Sequence, residues 1–360
     1  MPTFDIIKKS KPKLSFRVSS VIGKFDLQSE KIIEHFKGNI DLPNKWNIGL
    51  IVGKSGTGKT TIAKQLFKNA YITNYKYNAE AILDDMPKEA SINDITRTFN
   101  SVGFSSPPSW LKPYAVLSNG EKMRVNLARA ILEDNPLIVF DEFTSVVDRN
   151  VAKIGSFAMQ KAIRKTNKQF IAVGCHYDVE DWLMPDWVFN TDTMTFHLNE
   201  GQKKNRPEIK FNIYKAKNKS IWRMFAKYHY LNHSHNNAAH TYIATINNEI
   251  AGFISIIHFP HPVSFNIKKV HRLVILPDYQ GAGFGIKFLN EIGKYYKKKK
   301  YRYTITTSAP SLINALKKSN DWICNRFGRN KPQKANNKIG KISSANRITA
   351  NFEMKYNEQK

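Results

Sequence analysis

The sequence predicts an α/β chain in two parts, the second of them α+β with a mixed sheet, and three observations predict it. The first two hundred residues alternate short apolar runs with helical patterns, a polar and charged stretch (NEGQKKNR) breaks that rhythm, and a strand-rich order of elements follows. At 360 residues and 41% apolar content, the chain has material for two cores, because single domains rarely grow past ~250 residues. Its 12% aromatic and 24% charged content is globular and not that of a disordered chain.

In the first part, WNIGLIVG (46–53) reads as a buried strand leading into Gly-rich sequence and TIAKQLFKNA (61–70) as a helix. VNLARAILEDN (125–135) is a second helix, and PLIVFDE (136–142) and QFIAVGCH (169–176) are further buried strands. Residues 199–206 read as a linker between a domain over 1–198 and one over 207–356. The second part then reads helix (SIWRMFAKYHYL, 220–231), strand (HTYIATIN, 240–247), strand (EIAGFISIIHF, 249–259), strand (VHRLVILP, 270–277) and helix (GIKFLNEIGKYY, 285–296). A strand (YRYTITTS, 301–308), a helix (SLINALKKS, 311–319) and a last strand (RITANFEMKY, 347–356) complete it.

Two cysteines, Cys175 and Cys324, cannot build a disulfide framework or a four-cysteine zinc site, which points to a reduced, cytoplasmic setting. The first twenty residues lack the apolar core of a signal peptide. No window approaches the ~18–20 apolar residues of a membrane span, so no membrane partner is expected and a transporter would need separate membrane subunits. Net charge is +27 and uneven: residues 1–200 hold 26 Lys+Arg against 22 Asp+Glu, residues 201–360 hold 30 against 7. The excess in the second part, with runs such as 297–303 (KKKKYRY), predicts a polyanion partner there, nucleic acid with DNA ahead of RNA.

Gly53-Lys54-Ser55-Gly56-Thr57-Gly58-Lys59-Thr60 fits the phosphate loop G-x-x-x-x-G-K-[ST], between a strand and a helix, with Thr61 next in the helix. Such a loop wraps backbone N–H groups around a β-phosphate, Lys59 adds a point charge, and the Thr60 hydroxyl can ligate Mg²⁺. Asp141 closes a run of four apolar strand residues and can hold the metal through its water shell, and Glu142 beside it is placed to polarise an attacking water. Leu117-Ser118-Asn119-Gly120-Glu121 opens a helix, and His176 ends a strand 35 residues after Asp141.

Together these residues resemble the ABC-type ATPases over roughly residues 15–195: phosphate loop, LSGGQ-like signature, acid pair, a D-loop ending at Asp148, and the switch histidine His176, in that order. The resemblance implies ATP as ligand, bound also by Asn119 and Glu121, and Phe25, in a strand-like stretch upstream, as the adenine-stacking aromatic or else a core residue. It implies a head-to-tail homodimer, or a pairing with another ABC subunit, in which Ser118 and Gly120 of one chain contact the γ-phosphate held by Lys59 of the other. No glutamine occupies the Q-loop region, and only 59 residues separate Lys59 from Ser118. That spacing is short for the helical subdomain on which transporters dock their membrane partners, and it speaks for an ATPase outside transport.

Gln280-Gly281-Ala282-Gly283-Phe284-Gly285 lies between a strand and a helix, again an anion cradle with free N–H groups and a helix dipole. With its flanking elements it resembles the GNAT acyltransferases over about residues 208–356. The resemblance implies acetyl-CoA or another acyl-CoA, its pyrophosphate on this loop and its thioester along a splayed strand at Leu273, Val274, Ile275 and Leu276. The tyrosine acid of many such enzymes has no clear counterpart after Ser308, which ends its strand and is a candidate either to hydrogen-bond the leaving thiolate or to cap the helix over 311–319. Seven of ten histidines fall between 229 and 271, and His229 and His271 are the candidates for general base.

A shortened ABC ATPase followed by a GNAT domain is similar to a group of phage and mobile-element proteins, and the second half to the Mom family of DNA-modification enzymes. The expectation is an ATP-hydrolysing protein coupled to acyl transfer onto a nucleic-acid amine. The alternatives are a protein or small-molecule N-acetyltransferase, a nucleic-acid-binding ATPase whose GNAT half is inactive, and, last, a transporter subunit.

Overall fold

The structure is a computed structural model describing residues 3–10, 13–27, 32–72, 75–199, 209–230, 234–329 and 347–355. Its strands form three sheets. β1 (Thr3–Ser10) and β2 (Ile32–Asn39) pair antiparallel. β3 (Ile48–Val52), β4 (Leu137–Phe140), β5 (Gln169–Gly174), β6 (Trp187–Asn190) and β7 (Thr195–Leu198) form a sheet of order β4-β5-β3-β6-β7, parallel except for β7. β8 (Phe211–Lys215), β9 (His240–Ile246), β10 (Glu249–His258), β11 (Ile267–Ile275), β12 (Arg302–Thr307), β13 (Trp322–Arg329) and β14 (Ile348–Met354) form the third, of order β13-β14-β12-β11-β10-β9-β8. It is mixed because β11 and β12 run parallel while its other pairs are antiparallel.

The chain packs as two compact units, each drawn from three segments: Met1–Tyr75, Glu133–Val147 and Gln160–Arg206, and Lys76–Leu132, Asp148–Met159 and Pro207–Lys360. In the first unit β3 is buried along all five residues, as a central parallel strand must be. Ile51, Ile62, Val139, Ile171, Val173, Trp187 and Phe189 form its core. Gly49 is glycine because a Cβ there would overlap the Trp187 indole.

In the second unit, helix Phe284–Lys298 lays Phe284, Phe288, Leu289, Ile292 and Tyr296 on the third sheet, the three-and-four spacing of an amphipathic helix. Helices Ile92–Ser101 and Asn119–Leu132 belong to the same unit. So does the first part of helix Arg149–Ile163, whose Ile154 packs with Ile246, Ala251, Tyr279 and Phe284. Packing thus groups residues differently from the sequential order of the two family resemblances.

The expected elements at 46–53, 136–142, 169–176, 240–247, 249–259, 270–277 and 301–308 appear as β3, β4, β5, β9, β10, β11 and β12. The helix expected over 220–231 is shorter: a 3-10 turn at Lys219–Ile221 and helix Trp222–Ala226, with His229 and Tyr230 beyond it. Phe25 ends helix Phe16–Phe25 and is 66% exposed, where a strand was expected. β13 was not foreseen; it is an edge strand with mostly exposed side chains, and lacks the alternation that marks a half-buried strand. Residues 200–206 of the expected linker, His233, and the lysines of 330–346 lie outside the described residues. Among the described residues no helix is long and apolar enough to cross a membrane.

Candidate active sites

In the first unit, β3 delivers the phosphate loop to the start of helix Lys59–Leu66. Gly56 and Gly58 have φ of 88° and 86°, the left-handed conformation that glycine adopts without penalty, and Gly58 is the helix N-cap. Gly53 passes too close to the Thr191 hydroxyl for any side chain. Lys59 Nζ donates to the Lys54 carbonyl at 2.6 Å. The Lys54 N–H donates to Asp192 Oδ1 at 2.8 Å, and Thr57 and Thr191 share a hydroxyl contact at 2.6 Å. Ser55 is exposed and Thr61 half-buried on the helix.

The Thr60 hydroxyl donates to Asp141 Oδ2 at 2.8 Å. A hydroxyl and a carboxylate side by side are hard oxygen donors of the kind Mg²⁺ takes alongside water and phosphate oxygens, so these residues fit that ion. Among the described residues no cluster of three or more His, Cys, Asp or Glu could hold a metal. Glu142 is exposed, with φ of 52°, and its N–H donates to Asp141 Oδ1 at 2.9 Å. A non-glycine residue held there stores strain of the kind found at reacting centres. His176 lies two residues past β5, its ring beside Cys175 Sγ at 3.6 Å.

Sequence reasoning missed Tyr71. It follows the 3-10 turn Lys68–Ala70, bridges to Val139 of β4, and donates its hydroxyl to Asp141 Oδ2. Burial, then the Asp141 hydrogen bond, push its phenol well above the usual range, so it stays a donor. It belongs to no motif; its only signal is that the chain re-enters the sheet beside the Asp141 strand directly after the phosphate-loop helix.

The signature lies in the second unit. Ser118 and Glu121 form a reciprocal capping box: Ser118 Oγ accepts from the Glu121 N–H at 3.3 Å, and the Glu121 carboxylate accepts from the Ser118 N–H at 3.1 Å. Ser109 Oγ donates to the other carboxylate oxygen at 2.9 Å. The acid is therefore turned inward and buried, which keeps its charge off the face a γ-phosphate would meet. Asn119 and Gly120 begin the helix, and the Asp148 carboxylate accepts from the Asn150 N–H at 2.8 Å, capping helix Arg149–Ile163.

On the third sheet, the ladder between β11 and β12 ends at Val270 and Ile305. There Ser255 faces Arg272 and Ile256 faces Val270, leaving His271 as the extra residue of a β-bulge on β11. A bulge bends its strand, and β11 continues through Leu273, Val274 and Ile275 apart from β12, with Leu276 just after it. The Gly281 and Gly283 turn follows at φ of 86° and 94°, and Gly283 is the N-cap of helix Phe284–Lys298. Gly283 is exposed, with open space beside it among the described residues, while the Phe284 side chain is core, stacked on Phe211 at 5.9 Å. Ala282 and Gly285 complete the turn. The Gln280 side chain is used within the protein, donating to the Ile275 carbonyl and accepting from the Ser105 N–H, both at 2.7 Å.

Tyr230 is the second residue the sequence did not single out for chemistry. Its hydroxyl accepts from the Ser308 N–H at 3.3 Å, at the end of β12, and it lies close enough to Arg272 of β11 to act on that guanidinium. The phenol therefore stands where the two parallel strands part. His229 is buried with its ring stacked on Tyr230 at 5.0 Å. The His271 Nε2 accepts from the Asn236 N–H at 3.3 Å, and burial, then Arg272 and His235, hold its pKa down to about 4. It is a neutral acceptor and a weak base. Ser308 does not cap the helix Pro310–Lys318; Ala309 is the N-cap.

The basic run 297–303 divides. Lys297 and Lys298 close the last turn of their helix, where cations suit the dipole, and Tyr303 is buried in the core rather than offered to a partner. A separate pocket of about 520 Å³ is lined by Lys215, Lys217, Lys219 and His240. Burial first, then Lys268, Lys215, Lys219 and Lys299, hold the His240 pKa down, so four lysines converge on one imidazole.

Residues 49–175 match the model for the ATPase family associated with various cellular activities (AAA), and residues 207–317 match the Acetyltransferase (GNAT) family. The chain is 28% identical over 162 residues to the human iron-sulfur clusters transporter ABCB7, mitochondrial, covering 34% of this chain and 22% of that protein. It is 26% identical over 215 residues to the lactococcin-G-processing and transport ATP-binding protein LagD of Lactococcus lactis subsp. lactis, covering 46% and 30%. The chain thus spans no more than about a third of the length of these relatives. Among solved structures it is similar to a dimeric ATP-binding cassette in a post-hydrolysis state bound to ADP and Pi (TM-score 0.37, 15% identity, 47% of this chain and 94% of that one). It is also similar to the ribosomal-protein-S18-alanine N-acetyltransferase of Escherichia coli (TM-score 0.31, 14% identity, 40% and 93%). The chain joins an ATPase domain of the ABC/AAA kind to a C-terminal GNAT acetyltransferase domain.

Proposed function

We propose that this protein couples ATP binding and hydrolysis to acyl transfer from acetyl-CoA, or another acyl-CoA, onto an amine of nucleic acid, DNA ahead of RNA. In sequence the ATPase domain covers 1–198 and the acyltransferase domain 207–356, with 199–206 as linker. The observation that carries the transfer reading is the parting of β11 from β12 with the Tyr230 hydroxyl in the opening, one strand end away from the Gly281–Gly283 anion cradle. The polyanion is supported by the charge excess of residues 201–360 and by the lysines around His240. Other lysines lie over exposed aromatic faces, as Lys299 does over Tyr295 at 4.6 Å, an arrangement suited to bases as well as phosphates.

In this reading two chains pair head to tail in the cytoplasm with no membrane partner. Lys59 and the loop N–H groups hold the ATP phosphates, Thr60 and Asp141 hold Mg²⁺, and Glu142 orients water for hydrolysis. Bound Mg²⁺ supplies charge neutralisation at the β- and γ-phosphates. Ser118 and Gly120 meet the γ-phosphate of the paired chain, and His176 senses it. Phe25 is exposed and available to stack on adenine. In the transferase, the N–H groups of 282–285 hold the pyrophosphate and the thioester lies along Leu273–Leu276. The acceptor amine gives up a proton as its nitrogen bonds to the acyl carbon and the C–S bond breaks. Tyr230, whose hydroxyl is already held by the Ser308 amide, returns a proton to the departing thiolate. His229, stacked on Tyr230, is better placed than His271 to receive the amine proton.

The test is mass spectrometry of nucleosides from cells expressing the wild type, Glu142→Gln and Gly283→Asp. The expected result is an acylated nucleoside with the wild type, lost in Gly283→Asp. No new nucleoside in DNA or RNA overturns the nucleic-acid acceptor and leaves a protein or small-molecule acceptor or an inactive transferase fold. A modification that persists in Glu142→Gln overturns the coupling to hydrolysis.

A further inference from the structure

Within the second compact unit, residues 103–110 and the signature helix Asn119–Leu132 are built into the acyl-CoA loop. Arg124 is 1% exposed, and its Nη2 donates to the Asp278 carbonyl at 2.9 Å. Gly120 of the signature leaves no room for a side chain, because a Cβ would stand 2.9 Å from Asp278 Oδ1. Two residues on from Asp278, the Gln280 side chain accepts from the Ser105 N–H. A Cβ on Gly103 would lie 2.6 Å from the Gln280 carbonyl oxygen, and one on Gly281 2.8 Å from Gly103 Cα.

The same segment reaches the acceptor wall, where Ser106 Oγ donates to the Tyr228 carbonyl at 3.3 Å, and the signature, where Ser109 holds Glu121. Signature, donor loop and the backbone leading to Tyr230 are thus packed into one body with little slack.

Arg124 is the least satisfied group of this body. Its Nη1 stands 3.8 Å from Asp278 Oδ1, an ion pair longer than a hydrogen bond, and among the described residues neither Nε nor Nη1 has a hydrogen-bond partner. A buried guanidinium costs several kcal/mol unless its partners are close. Burial holds the Arg124 pKa below its usual range, with Asp278 and Glu121 opposing; burial holds that of Asp278 above its range, with Arg124 opposing. The buried guanidinium is therefore under-compensated, and closing the pair by about an ångström to charge-assisted hydrogen-bond distance stabilises it. Packed bodies convert such shifts into discrete changes of state.

We propose that ATP held between the signature of one chain and the phosphate loop of a second raises this protein's affinity for acyl-CoA, the link running through Arg124–Asp278 and the contacts of residues 103–106. This rests on the reading of both sites given above. Docking of the signature onto the paired chain's nucleotide draws Arg124 onto the Asp278 carboxylate and orders the turn that presents the pyrophosphate-binding N–H groups. Linkage requires the reciprocal effect: CoA tightens ATP by the same factor.

The experiment titrates CoA into full-length Glu142→Gln protein by calorimetry, with and without saturating ATP and Mg²⁺, and then titrates ATP with and without CoA. The expected result is a tightening of about fivefold or more in both directions, falling toward onefold in Arg124→Met and Asp278→Asn. Two variants are used because Asp278→Asn keeps an isostere but leaves the buried Arg124 charge without its counter-ion, whereas Arg124→Met removes that charge and leaves only the half-exposed Asp278. If CoA and ATP each bind but with constants independent of one another, or if ATP weakens CoA, the linkage is wrong and the two sites stand. Coupling that survives in Asp278→Asn overturns the assigned route. Absence of any CoA binding overturns the acyltransferase reading and the linkage with it.

Discussion

Gly281 and Gly283 offer a controlled pair for testing how closely the turn before helix Phe284–Lys298 is packed. Their φ angles, 86° and 94°, carry nearly the same left-handed penalty for alanine, about 1–2 kcal/mol. Their surroundings differ. A Cβ at Gly283 meets nothing within 4 Å, whereas one at Gly281 meets Ala158 Cβ and Gly103 Cα, each at 2.8 Å. Overpacking a tight site adds about 1–3 kcal/mol. At about 2–4 °C per kcal/mol for a unit of this size, Gly281→Ala should melt about 2–12 °C below Gly283→Ala. Differential scanning calorimetry of the two full-length variants reads that difference directly, with the shared backbone penalty cancelling. Coincident melting temperatures would refute the interlocking of residues 103, 158 and 281.

Tyr71→Phe removes the phenol hydrogen bond to Asp141; with about 1.5–3 kcal/mol for a bond to a charged group, the Mg²⁺ needed for half-maximal ATPase activity should rise about tenfold or more, and an unchanged Mg²⁺ titration would remove Tyr71 from the metal site. Tyr230→Phe should lower the turnover of acetyl-CoA with single-stranded DNA as acceptor by about 10²–10⁴-fold while CoA affinity stays level; a loss of affinity with turnover intact would make Tyr230 structural. His271 is neutral in the folded protein down to a pKa of about 4 but takes a proton at 6.5 when unfolded, so the unfolded chain binds more protons between those values and stability falls as pH drops from about 6.5 toward 4. Thermal melts of His271→Gln should show a flatter pH dependence than wild type across that window, and parallel curves would contradict it.

The strand, glycine loop and helix around residues 53–60 were legible because such a loop is a local feature. A strand, a glycine loop and a helix lie consecutively in the chain, and residues 53–60 announce themselves whatever surrounds them. The sequence of β9, β10, β11 and β12 was legible for a similar reason, as apolar runs separated by turns. What could not be read depends on approach across long separations. Arg124 and Asp278 meet across 154 positions, and Ser308 and Tyr230 across 78. Neither pair carries a motif, since a hydrogen bond constrains two residues without fixing the sequence around either. Tyr230 also stood within a segment that reads as one long helix, and only when that helix stops at Ala226 does the phenol reach the parting strands. The bulge at His271 was hidden because one inserted residue in a strand leaves its apolar content unchanged.

The sharing of the second unit among three stretches of chain bears on how this protein can be taken apart. A fragment ending at residue 199 would strip Asp278 from Arg124 and uncover Ile154, which packs on Tyr279 and Phe284. A fragment starting there would bare the other side of the same contacts. Each half should then be recovered as aggregate or as a chaperone client, while co-expressed halves should reassemble. Fusion has made these two enzymes mutual folding partners, and gene order in this chain is no guide to where a soluble cut can be placed.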